Sequence, residues 1–505
     1  MPPASQALRV EPVPRVAPMS RFQATARVSG WISTCLMAAS PTVIPRRVRR
    51  MCARSVRVEK FRTVRSRLRP IASRPCCNGV GTLPEALSHH WSPISPMMTA
   101  TDPSICATSP ISSSWTMRMF VLDGKTGAEH FHVGPVHPGL TPALGDIDGD
   151  GVPEIVMGAG ATLDFRIVAF AHDGTIQWKS AEPWPYTQGN GGALALADLD
   201  NDGDVEIIAG NHLFDHHGNR LWVAPSFLLD TAIAPTAADL DGDGDQEVIF
   251  GPSAYHHDGT PYYNNPDVVS VGFGLFPQVA NLDSDPEPEV LVSTNGGMYM
   301  LEHDGTIKFN LPKGGMFPAT VHDFDGDKIS EFAVSAGSTY TVYEPDGSPL
   351  WAAPVNDPSG VAGGTAFDFL GDGVAEAMYA DEHTMFVFDG QTGVVVFQIP
   401  RSSGTTIEYP TVADVDNDES AEIIVVSNGN KAAKTAPSVQ VIGDQENRWI
   451  AARRIWNQRT YHVTNVREDG TIPQFESPHW KTLNTFRTNA QIEGGSVCEP
   501  PEPEG

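Results

Sequence analysis

Short apolar runs rich in Val and Ile recur along residues 119–450, and polar turns separate them. Runs of this kind, bounded by turn residues, are typical of buried β-strands. In each unit one run leads into an acidic loop and a second run leaves it, as in the stretch that begins at Glu206. An Asp-Gly turn, such as Asp173-Gly174, then joins a third run to a fourth and predicts a β-hairpin. The pattern therefore predicts units of four antiparallel strands.

The acidic loop recurs at intervals of 41 to 52 residues, a period that suits a repeat of four short strands. Four-stranded units arranged radially form a β-propeller, so the predicted fold is all-β with seven blades. Eight blades are the alternative prediction, because one further hairpin sequence, Met119 to Gly124, precedes the first loop. The first position of the loop falls at Asp146, Asp198, Asp239, Asn281, Asp323, Asp368 and Asp414.

Each loop follows the pattern D-x-D-x-D-G-x-x-E, in which three alternate carboxylates and the acid at position nine can converge on one cation. Calcium takes six to eight oxygen ligands at flexible distances, whereas magnesium demands stricter geometry, so the predicted cofactor is Ca²⁺. An EF-hand is excluded because its loop needs a glutamate at position twelve, and that position is apolar here, as at Met157 and Ala209.

Five of the seven loops keep all four acids. Three of these have glycine at position six, which suits a left-handed turn, whereas Lys328 and Glu419 occupy that position in the other two. Lys328 should weaken calcium binding in the loop that begins at Asp323. The Asn281 and Asp368 loops are the poorest candidates, because Pro286 stands at position six of one and Leu370 replaces a carboxylate in the other. The candidate metal ligands are Asp146, Asp148, Asp150, Glu154, Asp198, Asp200, Asp202, Glu206, Asp239, Asp241, Asp243, Glu247, Asp323, Asp325, Asp327, Glu331, Asp414, Asp416, Asp418 and Glu422.

The charge of the chain divides it into two segments. Residues 1–118 carry a net charge of +13 and residues 119–505 a net charge of −40. The acidic segment would repel phosphate backbones, so nucleic-acid binding is excluded there, and no run of 18 apolar residues predicts a membrane span. Only Cys498 lies in the acidic segment, so it has neither a disulfide framework nor a cysteine-based zinc site.

The two ends of the chain differ from the repeats. Residues 1–114 show no periodicity and no convincing signal peptide, and they are predicted to be disordered or to be translated out of frame. The second interpretation rests on the stretch from Met97 to Ile105, which in a shifted frame of a GC-rich gene would encode an intact acidic loop. Residues 115–450 form the predicted propeller. Residues 451–495 are aromatic enough to pack on it, and residues 496–505 form a Pro/Glu linker.

The loops and their period resemble the FG-GAP/VCBS repeats of integrin α-type β-propellers over roughly residues 117–450. The resemblance implies calcium loops between the first and second strands of each blade. It also implies an extracellular or cell-surface protein that recognises a protein or glycan ligand. The segment from Trp449 to Arg487 is similar to a tail that follows such repeats in bacterial surface proteins.

No sequence motif of a hydrolase, a zinc protease or a nucleotide-binding enzyme is present. The histidines His172, His217, His257 and His303 recur beside the hairpin turns, and we interpret them as turn residues. Two functions follow from the sequence: a calcium-stabilised extracellular binding module, and a calcium-dependent lyase or glycosidase acting on polysaccharides. The recurrent tryptophans of the fourth strands are expected to pack between blades; they are Trp178, Trp222, Trp351 and Trp449.

Overall fold

The computed structural model describes residues 117–492, apart from residues 138–139, 161–164, 185–191, 226–233, 269–274, 295, 313–314, 406–407 and 428–436. Further upstream it describes the backbone of three short strands, β1 (Arg27–Val28), β2 (Glu59–Lys60) and β3 (Ile105–Thr108). The predictions for residues 1–114 and 496–505 otherwise lie outside the described residues.

The first elements of the described body form a hairpin. Strand β4 (Met117–Asp123) pairs with β5 (Glu129–Val136) on one side and with β3 on the other. The predicted hairpin ahead of the first acidic loop is therefore present. Strand β6 (Leu140–Thr141) follows and adds in parallel to the innermost strand of the second blade.

Seven units follow, each an antiparallel sheet that keeps the order of its strands in the chain. Blades one to three consist of β7 (Ala143–Gly145), β8 (Glu154–Ala159), β9 (Arg166–Phe170), β10 (Ile176–Lys179); β11 (Gly192–Ala197), β12 (Glu206–Ala209), β13 (His212–Phe214), β14 (Arg220–Val223); and β15 (Thr236–Ala238), β16 (Glu247–Ile249), β17 (Ser253–Tyr255), β18 (Pro261–Asn264).

Blades four to six repeat the same arrangement, and blade seven has three strands within the described residues. The strands are β19 (Phe276–Ala280), β20 (Glu289–Thr294), β21 (Gly297–Leu301), β22 (Ile307–Leu311); β23 (Thr320–His322), β24 (Glu331–Ala336), β25 (Thr339–Tyr343), β26 (Pro349–Pro354); β27 (Gly364–Phe367), β28 (Glu376–Ala380), β29 (Thr384–Phe388), β30 (Val395–Pro400); and β31 (Thr411–Ala413), β32 (Glu422–Val426), β33 (Val439–Ile442).

The first strands of neighbouring blades contact one another, as β11 contacts β15 and β23 contacts β27, and this places them at the centre of the ring. Second strands such as β8 and β20 are buried along their whole length, while fourth strands such as β22 alternate between exposed and half-buried positions. The prediction of an all-β propeller with seven blades is confirmed. The helical content of the described residues is one 3-10 turn, His479–Lys481, and no helix there could span a bilayer.

Neighbouring blades are held together by an aromatic side chain that packs on a glycine. A Cβ added at Gly218 in the turn of blade two would lie 2.5 Å from the Trp178 ring of blade one. The same arrangement joins Gly305 to Tyr263, again at 2.5 Å. Both glycines have positive φ, at 79° and 82°, which a residue with a Cβ rarely adopts. The turn glycine is thus required both by its backbone conformation and by the neighbouring ring.

The tryptophan prediction is confirmed for Trp178, Trp222 and Trp351, which lie in fourth strands and pack on the next blade. Trp449 also packs between blades, in the core shared by blades six and seven, where its ring centroid lies 4.4 Å from that of Phe369. Its predicted place in a fourth strand is wrong, because it lies outside any strand. Sequence spacing alone placed it in a fourth strand, but the chain leaves the sheet after β33 and crosses to blade six.

The hairpin β4–β5 fills the junction between blades seven and one. Phe131 in β5 lies where a Cβ on Gly174 of blade one would be, which is the position that a fourth-strand aromatic takes at the other junctions. In β4, Val121 packs with blade one, while Leu122 packs with Val439 and its neighbours in blade seven. The hairpin therefore supplies the outer packing surface that blade one needs on that side.

Residues 449–492, here called the C-terminal plug, lie across the centre of the ring at the end that carries the acidic loops. The plug has almost no regular secondary structure, yet most of its side chains are buried. Its polar groups hydrogen-bond to the first strand or the acidic loop of six blades, and in blade three to Pro235, which directly precedes the first strand. The blade residues contacted are Leu144, Asp146, Leu196, Asn201, Pro235, Val279, Asn281, Val321, Thr365, Asp368, Val412 and Asp414.

Truncation of a junction aromatic should unfold the ring more readily. Trp351 is 8% exposed and its Nε1–H donates to the Gly390 carbonyl of blade six. We expect Trp351→Ala to lower the free energy of unfolding by about 3–5 kcal/mol, as for large aromatic truncations in cores. The control is Leu221→Ala, because Leu221 is 52% exposed and its loss should change stability by less than about 0.5 kcal/mol. Urea unfolding measures both, and equal losses would contradict the packing role.

Candidate metal sites

All seven acidic loops join the first strand of a blade to its second. The acid at position nine is the first residue of the second strand in every blade, from Glu154 in β8 to Glu422 in β32. One of its carboxylate oxygens, Oε2, accepts a hydrogen bond from the backbone N–H of position two, at 2.5 to 3.2 Å in all seven loops. The backbone thus fixes one oxygen, Oε2, of each glutamate, and the second oxygen, Oε1, is the one that other groups can reach.

The aspartate at position one organises the turn. In the first loop its two oxygens accept the N–H groups of Gly149 and Gly151, each at 2.9 Å. The position-six residue adopts positive φ even where it is not glycine, at 76° for Lys328 and 64° for Glu419. The turn therefore imposes the left-handed conformation, and two loops form it with residues that favour it less.

The carboxylates of one loop lie close enough to share an ion. In the fifth loop, oxygens of Asp323, Asp325, Asp327 and Glu331 all lie within 4.8 Å of one another. The first loop brings Asp146, Asp148 and Glu154 together in the same way, and the second does so with the equivalent residues. The third carboxylate of the first loop, Asp150, instead accepts the N–H of Val152 at 2.8 Å.

The position-nine glutamates are buried, and burial disfavours their charged form. It is the largest cause that raises the pKa of Glu154, Glu206, Glu331 and Glu376 to about 8, with the neighbouring aspartates acting in the same direction and the backbone hydrogen bond acting against it. Such groups are stable as carboxylates only when a cation lies beside them.

The loops also offer unpaired oxygen atoms that suit a hard cation. Several of their buried carboxylate oxygens accept no hydrogen bond, among them Asp198 Oδ1, Glu331 Oε1 and Asp418 Oδ1. Buried polar atoms are normally paired, so these oxygens indicate a missing electropositive partner. An ion with several oxygen ligands satisfies this requirement.

Residues 146–209 match the family model described as FG-GAP-like repeat. The chain is a β-propeller with an FG-GAP-like repeat in its first two blades. This confirms the resemblance predicted from the loops, and the matched residues span the loops of blades one and two. No curated protein sequence matches the chain.

Among solved structures, the V. cholerae biofilm matrix protein Bap1 has a TM-score of 0.65 at 21% identity, covering 77% of this chain and 92% of Bap1. The rhamnogalacturonan lyase PL11 of Bacillus licheniformis has a TM-score of 0.48 at 16% identity, with 79% and 78% covered. The exotype rhamnogalacturonan lyase YesX has the same score at 17% identity, with 70% and 72% covered. The similarity to Bap1 establishes the fold alone.

The fourth acidic loop contains a cation of its own. The Lys308 ammonium contacts Asp283 and lies 2.8 Å from Glu289 and 3.1 Å from Glu302. Burial opposes the charge of the lysine, but its hydrogen bonds to these carboxylates outweigh that effect and raise its pKa. The other loops have positive φ at positions four and six. This loop lacks that turn, because neither Ser284 at position four nor Pro286 at position six has positive φ.

Residues outside the acidic pattern reach other loops as well, and the sequence predictions missed them. Gln177 of blade one occupies the position equivalent to Lys308 of blade four. Its Nε2–H donates to Glu154 Oε1 at 3.0 Å. In blade three, His256 lies 2.9 Å from Glu247, and together with Asp241 it completes a possible ligand group. The signal was available: Gln177 and Lys308 each precede the aromatic of a fourth strand, and alternation turns them towards the loop.

Substitution of Lys308 should leave the carboxylates of Asp283, Glu289 and Glu302 without their cationic partner. We expect Lys308→Met, in a chelating buffer, to lower the free energy of unfolding by about 3 kcal/mol, the lower end of the cost of breaking a buried ion pair. The matched control is Lys328→Met, since Lys328 is exposed and its loss should cost less than about 0.5 kcal/mol. Urea unfolding of the two variants tests this, and similar stability would show that Lys308 does not neutralise the loop.

The stability of the chelated protein should fall as the pH rises. Each glutamate with a pKa near 8 binds its proton more tightly in the folded than in the unfolded chain, so its contribution is full below about pH 4.5 and is lost as pH passes 8. Calcium requires the deprotonated form, so its stabilising effect should grow over the same range. Melting temperatures at pH 5 and pH 8, with EDTA and with calcium, measure this. A chelated protein that melts higher at pH 8 would contradict it.

Proposed function

We propose that the protein is a calcium-stabilised binding module of the cell surface or extracellular matrix, without enzymatic activity. The observation that carries the proposal is the repeated carboxylate geometry, in which the backbone holds one oxygen of each position-nine glutamate and the aspartates of the loop lie within 4.8 Å of that glutamate in loops such as the first, second and fifth. Neighbouring carboxylates at these distances repel one another, and a divalent cation removes that repulsion. Calcium suits the all-oxygen ligand set best.

The proposed ligands in five loops are those predicted from the sequence, from Asp146 to Glu422. The Asp368 loop keeps Asp372 and Glu376 beside its first aspartate and is the weakest of the calcium candidates. The Asn281 loop is assigned to Lys308 and not to calcium, because an ammonium already neutralises Asp283 and Glu289. Six loops therefore remain as candidates, five of them with a full set of acids.

The concentration of calcium favours a location outside the cell. Extracellular modules of this kind bind calcium in the range of about 10⁻⁴–10⁻³ M, which cytosolic calcium would not fill. Because calcium binds the folded chain alone, it stabilises the fold by mass action wherever its concentration is high. Bap1, which shares the fold, is a biofilm matrix protein, and we propose a matrix or surface role on that analogy.

Chelation should lower the melting temperature of the protein, and calcium should restore it where equimolar magnesium does not. Asp325→Asn should remove about one bound calcium and reduce the calcium-dependent gain in melting temperature. The matched control is Asp285→Asn in the loop that Lys308 neutralises, which should leave the calcium stoichiometry unchanged. Metal analysis and thermal unfolding give both readouts. An identical melting curve with EDTA and with calcium would refute the structural role of the ion.

The binding role is tested by a screen of glycans and matrix proteins with and without calcium, followed by incubation of each bound polysaccharide with the protein. We expect calcium-dependent binding and no change in polymer length. Release of unsaturated or reducing sugar ends would instead support the alternative, a lyase or glycosidase. That result would leave the calcium sites intact and overturn only the assignment as a binder.

A further inference from the structure

Three residues of the C-terminal plug form a cluster that is separate from the acidic loops. His462, Glu476 and His479 each place one nitrogen or carboxylate oxygen within 4.8 Å of the others. The two histidines are 2% and 1% exposed, and the side chain of Glu476 is 10% exposed. The cluster is therefore almost completely shielded from solvent, at the place where the plug covers blade four.

Backbone carbonyls fix the orientation of both imidazole rings. His479 Nε2 lies 2.8 Å from the Val279 carbonyl oxygen, so this nitrogen carries the proton and donates it. His462 Nδ1 lies 3.2 Å from the Thr460 carbonyl oxygen and donates in the same way. The other ring nitrogens, His479 Nδ1 and His462 Nε2, are thus the ones whose lone pairs are available in the neutral rings.

The acceptor atoms of the cluster do not all have a hydrogen-bond donor. His479 Nδ1 is buried and makes no hydrogen bond. His462 Nε2 lies 2.6 Å from Glu476 Oε1, a contact that needs a proton or another positive charge between two acceptors. Glu476 Oε1 also accepts the Thr464 hydroxyl at 2.8 Å, which holds the carboxylate in place.

We propose that His462, Glu476 and His479 bind a zinc ion that fastens the plug to the propeller. Two imidazole nitrogens and one carboxylate oxygen are a ligand set that zinc commonly takes, with the fourth position left to water. Hydrogen bonds from the outer ring nitrogens to carbonyl groups are the usual support of histidine ligands. Calcium and magnesium prefer oxygen ligands, so this site would select a different metal from the loops.

Zinc would replace the proton shared by His462 and Glu476, since its ligands must be deprotonated. It would also provide the partner that His479 Nδ1 lacks. The three ligands come from two stretches of the plug, residues 460–464 and 476–479, and the second is hydrogen-bonded to β19 of blade four. A single ion would therefore join both stretches to the ring.

The competing arrangement is a metal-free ion pair between a protonated His462 and Glu476. In that case His479 would be a neutral ring packed on His462, with ring centroids 4.4 Å apart. The two arrangements differ in the role of His479, because the ion pair does not use its Nδ1. Substitution of His479 therefore distinguishes them.

The test uses the full, untagged chain in saturating calcium, so that the acidic loops do not take up zinc, with its cysteines alkylated to remove thiolate ligands. Zinc titration should show one tight site and a rise in melting temperature. His479→Gln should weaken zinc binding by at least about 100-fold, because loss of a ligand costs more than loss of an outer-shell partner. The glutamine amide can still donate to the Val279 carbonyl, so the variant should fold.

Two further measurements keep the outcome decisive. Cobalt(II) in place of zinc should give the intense visible absorption of a four-coordinate site in the parent chain and lose it in His479→Gln. The matched control is His217→Gln, which removes the exposed ring of the His216–His217 pair and should leave the tight site unchanged. Zinc affinity that is equal in the parent chain and in His479→Gln, or the absence of tight zinc binding, would overturn the proposal in favour of the ion pair.

Discussion

Seven buried carboxylates at the start of the second strands are the constraint on which the propeller depends. Each glutamate ties the first strand to the second through the N–H of loop position two, so the inner half of every blade is built around an anion. An anion with this burial is costly unless a positive charge accompanies it. Blade four uses Lys308 for that purpose, whereas blade one places Gln177 and blade three places His256 beside the glutamate.

The loops also support the centre of the ring. The plug hydrogen-bonds to loop residues themselves, with Asp146 N–H donating to Gly470 and Gln491 donating to Asp368. A change in the loop conformation would therefore be transmitted to the plug, and through the plug to the neighbouring blades. Calcium binding, closure of the ring and docking of the plug are thus expected to be coupled.

The blades are joined at their outer edge by a different interaction. A fourth-strand ring packs on the turn glycine of the next blade, and the β4–β5 hairpin provides Phe131 for the last junction. This contact needs no charge and repeats with the sequence period. The ring is therefore held by the buried glutamates and the hydrogen bonds of the plug at the loop end of the blades, and by aromatic packing at their outer edge.

The sequence by itself determined the blades, because the alternation of strands, the Asp-Gly turns and the acidic loops are all local patterns with a fixed period. It also determined which acids share a loop, since residues within nine positions of one another meet whatever the rest of the chain does. The position of Trp449 and the path of the plug were decided by tertiary structure alone.

Lys308 depends on both sequence and tertiary structure, because strand alternation turns it towards the loop but the packing of the fourth strand decides which carboxylates it meets. The cluster of His462, Glu476 and His479 depends on tertiary structure alone, since these residues meet across a segment without secondary structure, where spacing along the chain carries no information about distance. Burial then decides their chemistry, because a lysine becomes a fixed counterion, and a histidine a potential ligand, only after the fold removes water from around them.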